Sequence, residues 1–101
     1  VKTFAESLAE DRRLAILTLL IEAEGEANES VLQTGLAMLG HSRELTRDNV
    51  RLDMQFLGDR GLVTLEWYGD KVCVARIARR GVEVAEGKVR VDGVKKPALG
   101  D

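Results

Sequence analysis

Residues 45–63, LTRDNVRLDMQFLGDRGLV, constrain the fold more than any other stretch of this 101-residue chain. Thr46 is a residue type that caps helices, and Asp48 puts a carboxylate in the first turn, where it suits the positive end of the helix dipole. Val50, Met54 and Leu57 recur at steps of four and three, so they share one helical stripe, with Asn49, Asp53 and Phe56 on its flank. At about 100° per residue, Arg47, Arg51 and Gln55 fall on the opposite side, which predicts a polar, mainly basic ridge turned to solvent. Gly61 supplies the permissive backbone that ends the helix, and Leu62-Val63 opens a strand-like run.

The flanking sequence supplies partners for that helix. The spacing predicts a first helix from Ala5 to about Glu24, with Phe4, Leu8, Ala15 and Leu19 near one face and Ile16, Leu20 and Ala23 beside it. Gly25 ends it in a Glu-rich stretch that reads as a solvated turn. Asn28 caps a second helix, Glu29 to Leu39, in which Val31, Leu32, Leu36 and Leu39 have buried spacing. Gly35 within it costs roughly 1 kcal/mol relative to alanine, which predicts close approach to a neighbour, taken to be the third helix. Gly40, His41, Ser42 and Arg43 lead on to the Thr46 cap, giving helix, short connection, helix.

After Gly61, LVTLEWYGDKVCVARI reads as a hairpin around a two-residue Gly69-Asp70 loop. That register pairs Tyr68 with Lys71, Trp67 with Val72, Leu65 with Val74 and Val63 with Arg76. A shorter fourth helix follows in ARRGVEVAEGKVRV, with Val82, Ala85 and Val89 inward. From Val91 the periodicity is lost, and Pro97 with two glycines predicts an extended or disordered basic tail. The expected division is a domain over residues 1–90 and a tail over 91–101.

An apolar fraction of 45% and a charged fraction of 32% fit a soluble globular protein. No apolar run approaches the ~20 residues of a membrane span, and the opening VKTFAESLAEDRR lacks the order of a secretory signal, so the expectation is cytoplasmic. Cys73 alone excludes an internal disulfide. A net charge of -2 argues against a general nucleic-acid scavenger. The charge is unevenly spread, however, with three basic and seven acidic side chains in residues 1–30 but eight and five in residues 70–101. A thiolate or imidazole metal site fails on inventory, since Cys73 and His41 are the only such ligands. No activated nucleophile, phosphate-cradling loop or paired carboxylates stand out, so the chain reads as a non-enzyme without cofactor, metal or evident small-molecule ligand.

TRDNVRLDMQFLGDRGLV resembles the recognition helix and following strand of winged helix-turn-helix regulators, in particular the ArsR-like and MarR-like groups. AEDRRLAILTLLIEAEG resembles the opening helix of ArsR-like domains. Ile77-Ala78-Arg79-Arg80-Gly81 stands where MarR-like proteins carry Leu-Thr-x-x-Gly, with Ala78 in place of the capping Thr. The combined order LAEDRRLAIL, ANESVLQT, TRDNVRLD, RGLV and RRGVEVAEGKVRVDGVKKP is similar to small winged-helix proteins encoded by Mu-like bacteriophages and prophages.

The resemblance implies a mainly α fold with a β-hairpin wing, a three-helix core plus a short C-terminal helix. With the capped Arg47/Arg51 helix, the hairpin and the basic C-terminal third, the expectation is a phage-encoded protein that binds duplex DNA as a homodimer, to regulate transcription or organise phage DNA, in the cytoplasm of a bacterial host. In a winged helix the third helix lies in the major groove, where Arg bridges the O6 and N7 of guanine and Asn the N6 and N7 of adenine. The candidate DNA contacts are then Arg43, Thr46, Arg47, Asp48, Asn49 and Arg51, with Tyr68 and Lys71 at the wing tip. Asp48 and Glu44 either read cytosine amino groups or mark a surface that does not meet phosphate. Leu52 contacts thymine methyls, joins a dimer contact, or is buried beneath helix two, and Trp67 reads as packing. Lys88, Arg90, Lys95 and Lys96 make a DNA arm or only a solubilising tail. The rival expectation is a protein-interaction module, docking on a host or phage partner through its acidic first helix or the Leu52 surface without binding DNA.

Overall fold

The computed structural model describes residues 1–43 and 45–98. Its first helix, α1 (Phe4–Glu22), begins where the Thr3 hydroxyl accepts the Glu6 N–H at 3.1 Å. It ends through Glu24 and Gly25, both at positive φ. Ala23 to Gly25 form the expected turn, but the rest of the Glu-rich stretch does not. Glu26–Asn28 make a short strand, β1, and the Gly25 carbonyl accepts the Ile77 N–H at 2.8 Å. Asn28 then caps α2 (Glu29–Met38), its side-chain oxygen accepting the Val31 N–H at 2.9 Å.

Helix α3 (Arg47–Asp59) starts as its sequence predicts, with the Thr46 hydroxyl accepting the Asn49 N–H at 3.1 Å. It stops at Gly61, whose φ of 74° lets the Leu62 N–H turn back to the Leu57 carbonyl at 3.0 Å. Strands β2 (Val63–Tyr68) and β3 (Val72–Ile77) follow, then α4 (Arg79–Ala85), which forms without a side-chain cap at Ala78. The architecture is α+β: four helices and a three-stranded antiparallel sheet in the order β1-β3-β2, among the described residues.

The hairpin register differs by one residue from the sequence expectation. Val63 pairs with Ile77, Leu65 with Ala75, Trp67 with Cys73 and Tyr68 with Val72, so three residues, Gly69 to Lys71, close the loop. Strand pairing decides between the two because a one-residue slip moves every side chain across the sheet. Here Val63, Cys73 and Ala75 all reach the core. On its other edge β3 pairs with β1 through Ala27 opposite Ala75.

The core gathers Ile16, Leu17 and Leu20 from α1, Leu32 and Leu36 from α2, and Val50, Met54 and Leu57 from α3, closed by Leu62, Val63, Cys73 and Ala75. Several expected core residues lie outside it: Phe4, Val31 and Leu39 are exposed. Gly35 does meet a neighbouring helix, but it is Leu19 of α1 rather than α3. In α4 the inward residues are Gly81 and Val84, with Val82 and Ala85 half-buried.

Past α4 the chain does not run free. Val94 is buried in the core, the Lys95 N–H donates to the Glu10 carbonyl at 3.2 Å, and the Arg13 guanidinium donates to the Gly93 carbonyl at 2.9 Å. Leu99, Gly100 and Asp101 of the expected tail, and Glu44, lie outside the described residues.

Candidate interaction surfaces

Arg51 does not stand on an open ridge. Its Nε donates to Glu29 Oε2 at 2.8 Å, and its Nη2 donates to Glu29 Oε1 at 3.3 Å and to the Lys71 carbonyl at 2.8 Å. Glu29 is nearly fully buried and also accepts the Cys73 N–H at 3.3 Å. One carboxylate thus ties α2, α3 and the β2–β3 hairpin together. The hydrogen bond from Arg51 holds the Glu29 carboxyl below its ordinary range, against the opposing effect of burial, and Glu29 in turn raises Arg51. Arg51 also lies 5.4 Å from the centre of the Trp67 ring, which remains exposed.

The other expected contacts are dispersed. Arg47 is exposed and donates to the Ser30 hydroxyl of α2 at 2.8 Å. Arg43 lies 5.5 Å from the centre of the Phe4 ring, back toward α1. Thr46 is engaged as the α3 cap, and Asn49 is half-buried. Tyr68 donates its hydroxyl to Glu66, which raises its pKa. Lys71 extends from the hairpin loop with its side chain exposed. The seam of α3 that points furthest outward is Asp48, Leu52, Gln55 and Asp59, all exposed. It carries two carboxylates and no cation. Leu52 is 61% exposed, which sets aside its burial beneath α2. Arg47 and Arg51 stand on the flank between this seam and the core, on the side turned toward α2.

A second carboxylate is also buried. Asp53 accepts Arg12 through Nε, Arg12 again through Nη2 at 3.3 Å, and Arg13 Nε at 3.2 Å. Arg13 and Arg60 stack over the Phe56 ring, 3.7 and 3.4 Å from its centre. The Gly93 backbone packs so close to this ring that a Cβ there would overlap it. Arg12 and Arg13 are therefore structural. Glu29 and Asp53 are thus both buried carboxylates, each beside apolar core neighbours.

Between α1 and α2 runs an open, mostly apolar groove of about 480 Å³ lined by Leu19, Ala23, Ala27, Val31, Gly35 and Met38, with Glu22 on its lip. No group of three or more His, Cys, Asp or Glu side chains that could hold a metal occurs among the described residues. No helix among them is long and apolar enough to cross a membrane.

No protein-family model and no solved structure matches the chain. Among curated proteins, the uncharacterized protein gp26 of Escherichia phage Mu is 45% identical over 94 residues, covering 89% of this chain and 91% of gp26. An uncharacterized protein of Haemophilus influenzae is 40% identical over 78 residues, 77% of this chain and 74% of its own length. With nearly half the residues of gp26 retained along most of both chains, this small phage-related protein belongs to the family of phage Mu gp26.

Proposed function

We propose that the protein is a winged-helix module that works by docking on another protein, and that α3 is not its DNA-reading element. The element order α1-β1-α2-α3-β2-β3 and the strand order β1-β3-β2 support the winged-helix assignment, with β2–β3 as the wing. The observation that carries the docking reading is the outward seam of α3, Asp48-Leu52-Gln55-Asp59, together with Arg51 held by Glu29. A helix entering the major groove meets phosphate walls, where two carboxylates repel. To reach a phosphate, Arg51 has to leave a buried carboxylate without its partner, a cost that removes much of the gain. The reading assigns the chain no reaction and no cofactor.

The second reading is a homodimeric DNA-binding regulator. It is favoured by Arg47, which is exposed and makes no close ion pair among the described residues, and by the exposed Lys71 at the wing tip. Purification of the tagged protein from phage-producing cells, with and without nuclease, separates the two. The docking reading expects a protein retained in fixed stoichiometry after nuclease. Retention of nucleic acid, or loss of every partner on nuclease treatment, contradicts it.

A further inference from the structure

We infer that the groove between α1 and α2 receives an amphipathic helix of a partner protein, one whose apolar stripe carries lysine or arginine at the end that meets Glu22. The inference rests on the protein-docking reading above and names its surface and the chemistry of its partner.

The shape of the groove follows from one missing side chain. Gly35 lets α2 settle against α1, and a Cβ there would stand 2.9 Å from Leu19 Cδ2. Four residues before it and three after it on α2 stand Val31 and Met38, 54% and 82% exposed. They are seven residues apart and so lie on one face of α2, with the gap at Gly35 between them. Two exposed apolar ridges around a depression of about 480 Å³ suit the i, i+3 or i+4, i+7 anchors of a helix laid along them. Desolvating Val31, Met38 and their apolar neighbours supplies the affinity.

Charge sets the direction. Glu22 of the groove has no ion-pair partner among the described residues, whereas Glu26 is held by Arg76 and Glu29 by Arg51. Helix α1 has no basic residue in its last turn, so its C-terminal carbonyls add to the negative potential at this end. A cation on the incoming helix is attracted there and a carboxylate is repelled. A second copy of this chain fits less well, because two-fold pairing sets one concave face against another and leaves the depression unfilled.

The probe is a synthetic amphipathic peptide with leucines at helical spacing and lysines at one end, titrated into the isotope-labelled full chain and followed by NMR. Saturable shifts centred on Leu19, Ala23, Val31, Gly35 and Met38 are expected. Replacing both exposed ridges, Val31→Lys with Met38→Lys, should weaken binding about tenfold while leaving the amide spectrum dispersed. Glu22→Lys should invert the preference, favouring the same peptide with glutamates in place of lysines. Absence of saturation, shifts centred elsewhere, equal binding of a scrambled peptide, or a dimer in solution that buries this groove each overturns the inference. The preceding reading fails separately, on nuclease-sensitive retention, so a partner that survives nuclease but ignores Val31 and Met38 removes only the groove.

Discussion

Glu29 occupies the first position of α2, where a carboxylate ordinarily faces solvent and favours the helix dipole. Its burial depends on Arg51, 22 residues further along, and on the Cys73 N–H of the hairpin. Neither partner is visible in the local sequence, which is why an open basic ridge was the natural expectation from α3 alone. Asp53 was more legible, since it falls beside Val50, Met54 and Leu57 on the helical wheel, a position that asks for a buried cation partner. Glu29→Gln should destabilise the fold by about 1–2 kcal/mol in urea denaturation, a modest figure because Arg51 still reaches solvent. The pH dependence follows from the sign of the shift. Arg51 holds the Glu29 carboxyl below its ordinary value of 4.5, so its contribution is complete above that pH and is lost as pH falls below it through the folded value. The stability gap between wild type and Glu29→Gln should therefore narrow in urea titrations carried below pH 4.5. Cys73 lies in the core, and burial pushes its thiol up. It should resist a disulfide exchange reagent in the native protein and react once urea unfolds it; rapid native labelling would contradict its placement.

At the scale of elements, capping and periodicity carried most of the prediction. Asn28 and Thr46 cap α2 and α3 as read, and Gly61 ends α3 at a positive φ. The misses have physical causes. Strand β1 is three residues long, too short to show alternation, and exists because β3 offers it an edge. The hairpin loop needed one more residue than its Gly-Asp signal suggested, since only that register turns Cys73 and Ala75 inward alongside Val63. Two helix glycines respond differently to the same change. At Gly81 an added Cβ runs into the Leu62 carbonyl oxygen, a backbone atom that cannot step aside. Gly81→Ala should cost about 3 kcal/mol or prevent folding. At Gly35 the obstacle is the end of the Leu19 side chain, and alanine also gains helix propensity. Gly35→Ala should stay within about 1 kcal/mol of wild type. Thermal denaturation of the two variants side by side tests this ordering, and equal losses would contradict it.

Over the whole molecule, the residues after α4 are part of the fold up to at least Lys95. Val94 enters the core, Gly93 packs on Phe56, and Lys95 pairs with Asp11 at 3.2 Å. Pro97 and two glycines break the periodicity here, which predicts a tail, and long-range packing onto α1 leaves no periodic trace. Val94→Ala should lower stability by about 1–2 kcal/mol, measured by thermal denaturation. A wild-type melting temperature in that variant would mean the segment is not held. The same long-range packing fixes the distribution of charge. Arg12, Arg13 and Arg51 are engaged with buried carboxylates, and the outward seam of α3 carries no cation of its own. The most direct test of the account is fluorescence anisotropy of labelled duplex fragments of phage DNA titrated with the wild-type protein at low salt. No saturable rise is expected. A saturable rise that weakens with added salt and is abolished by Arg47→Ala with Lys71→Ala would contradict it and return α3 and the wing to the major groove.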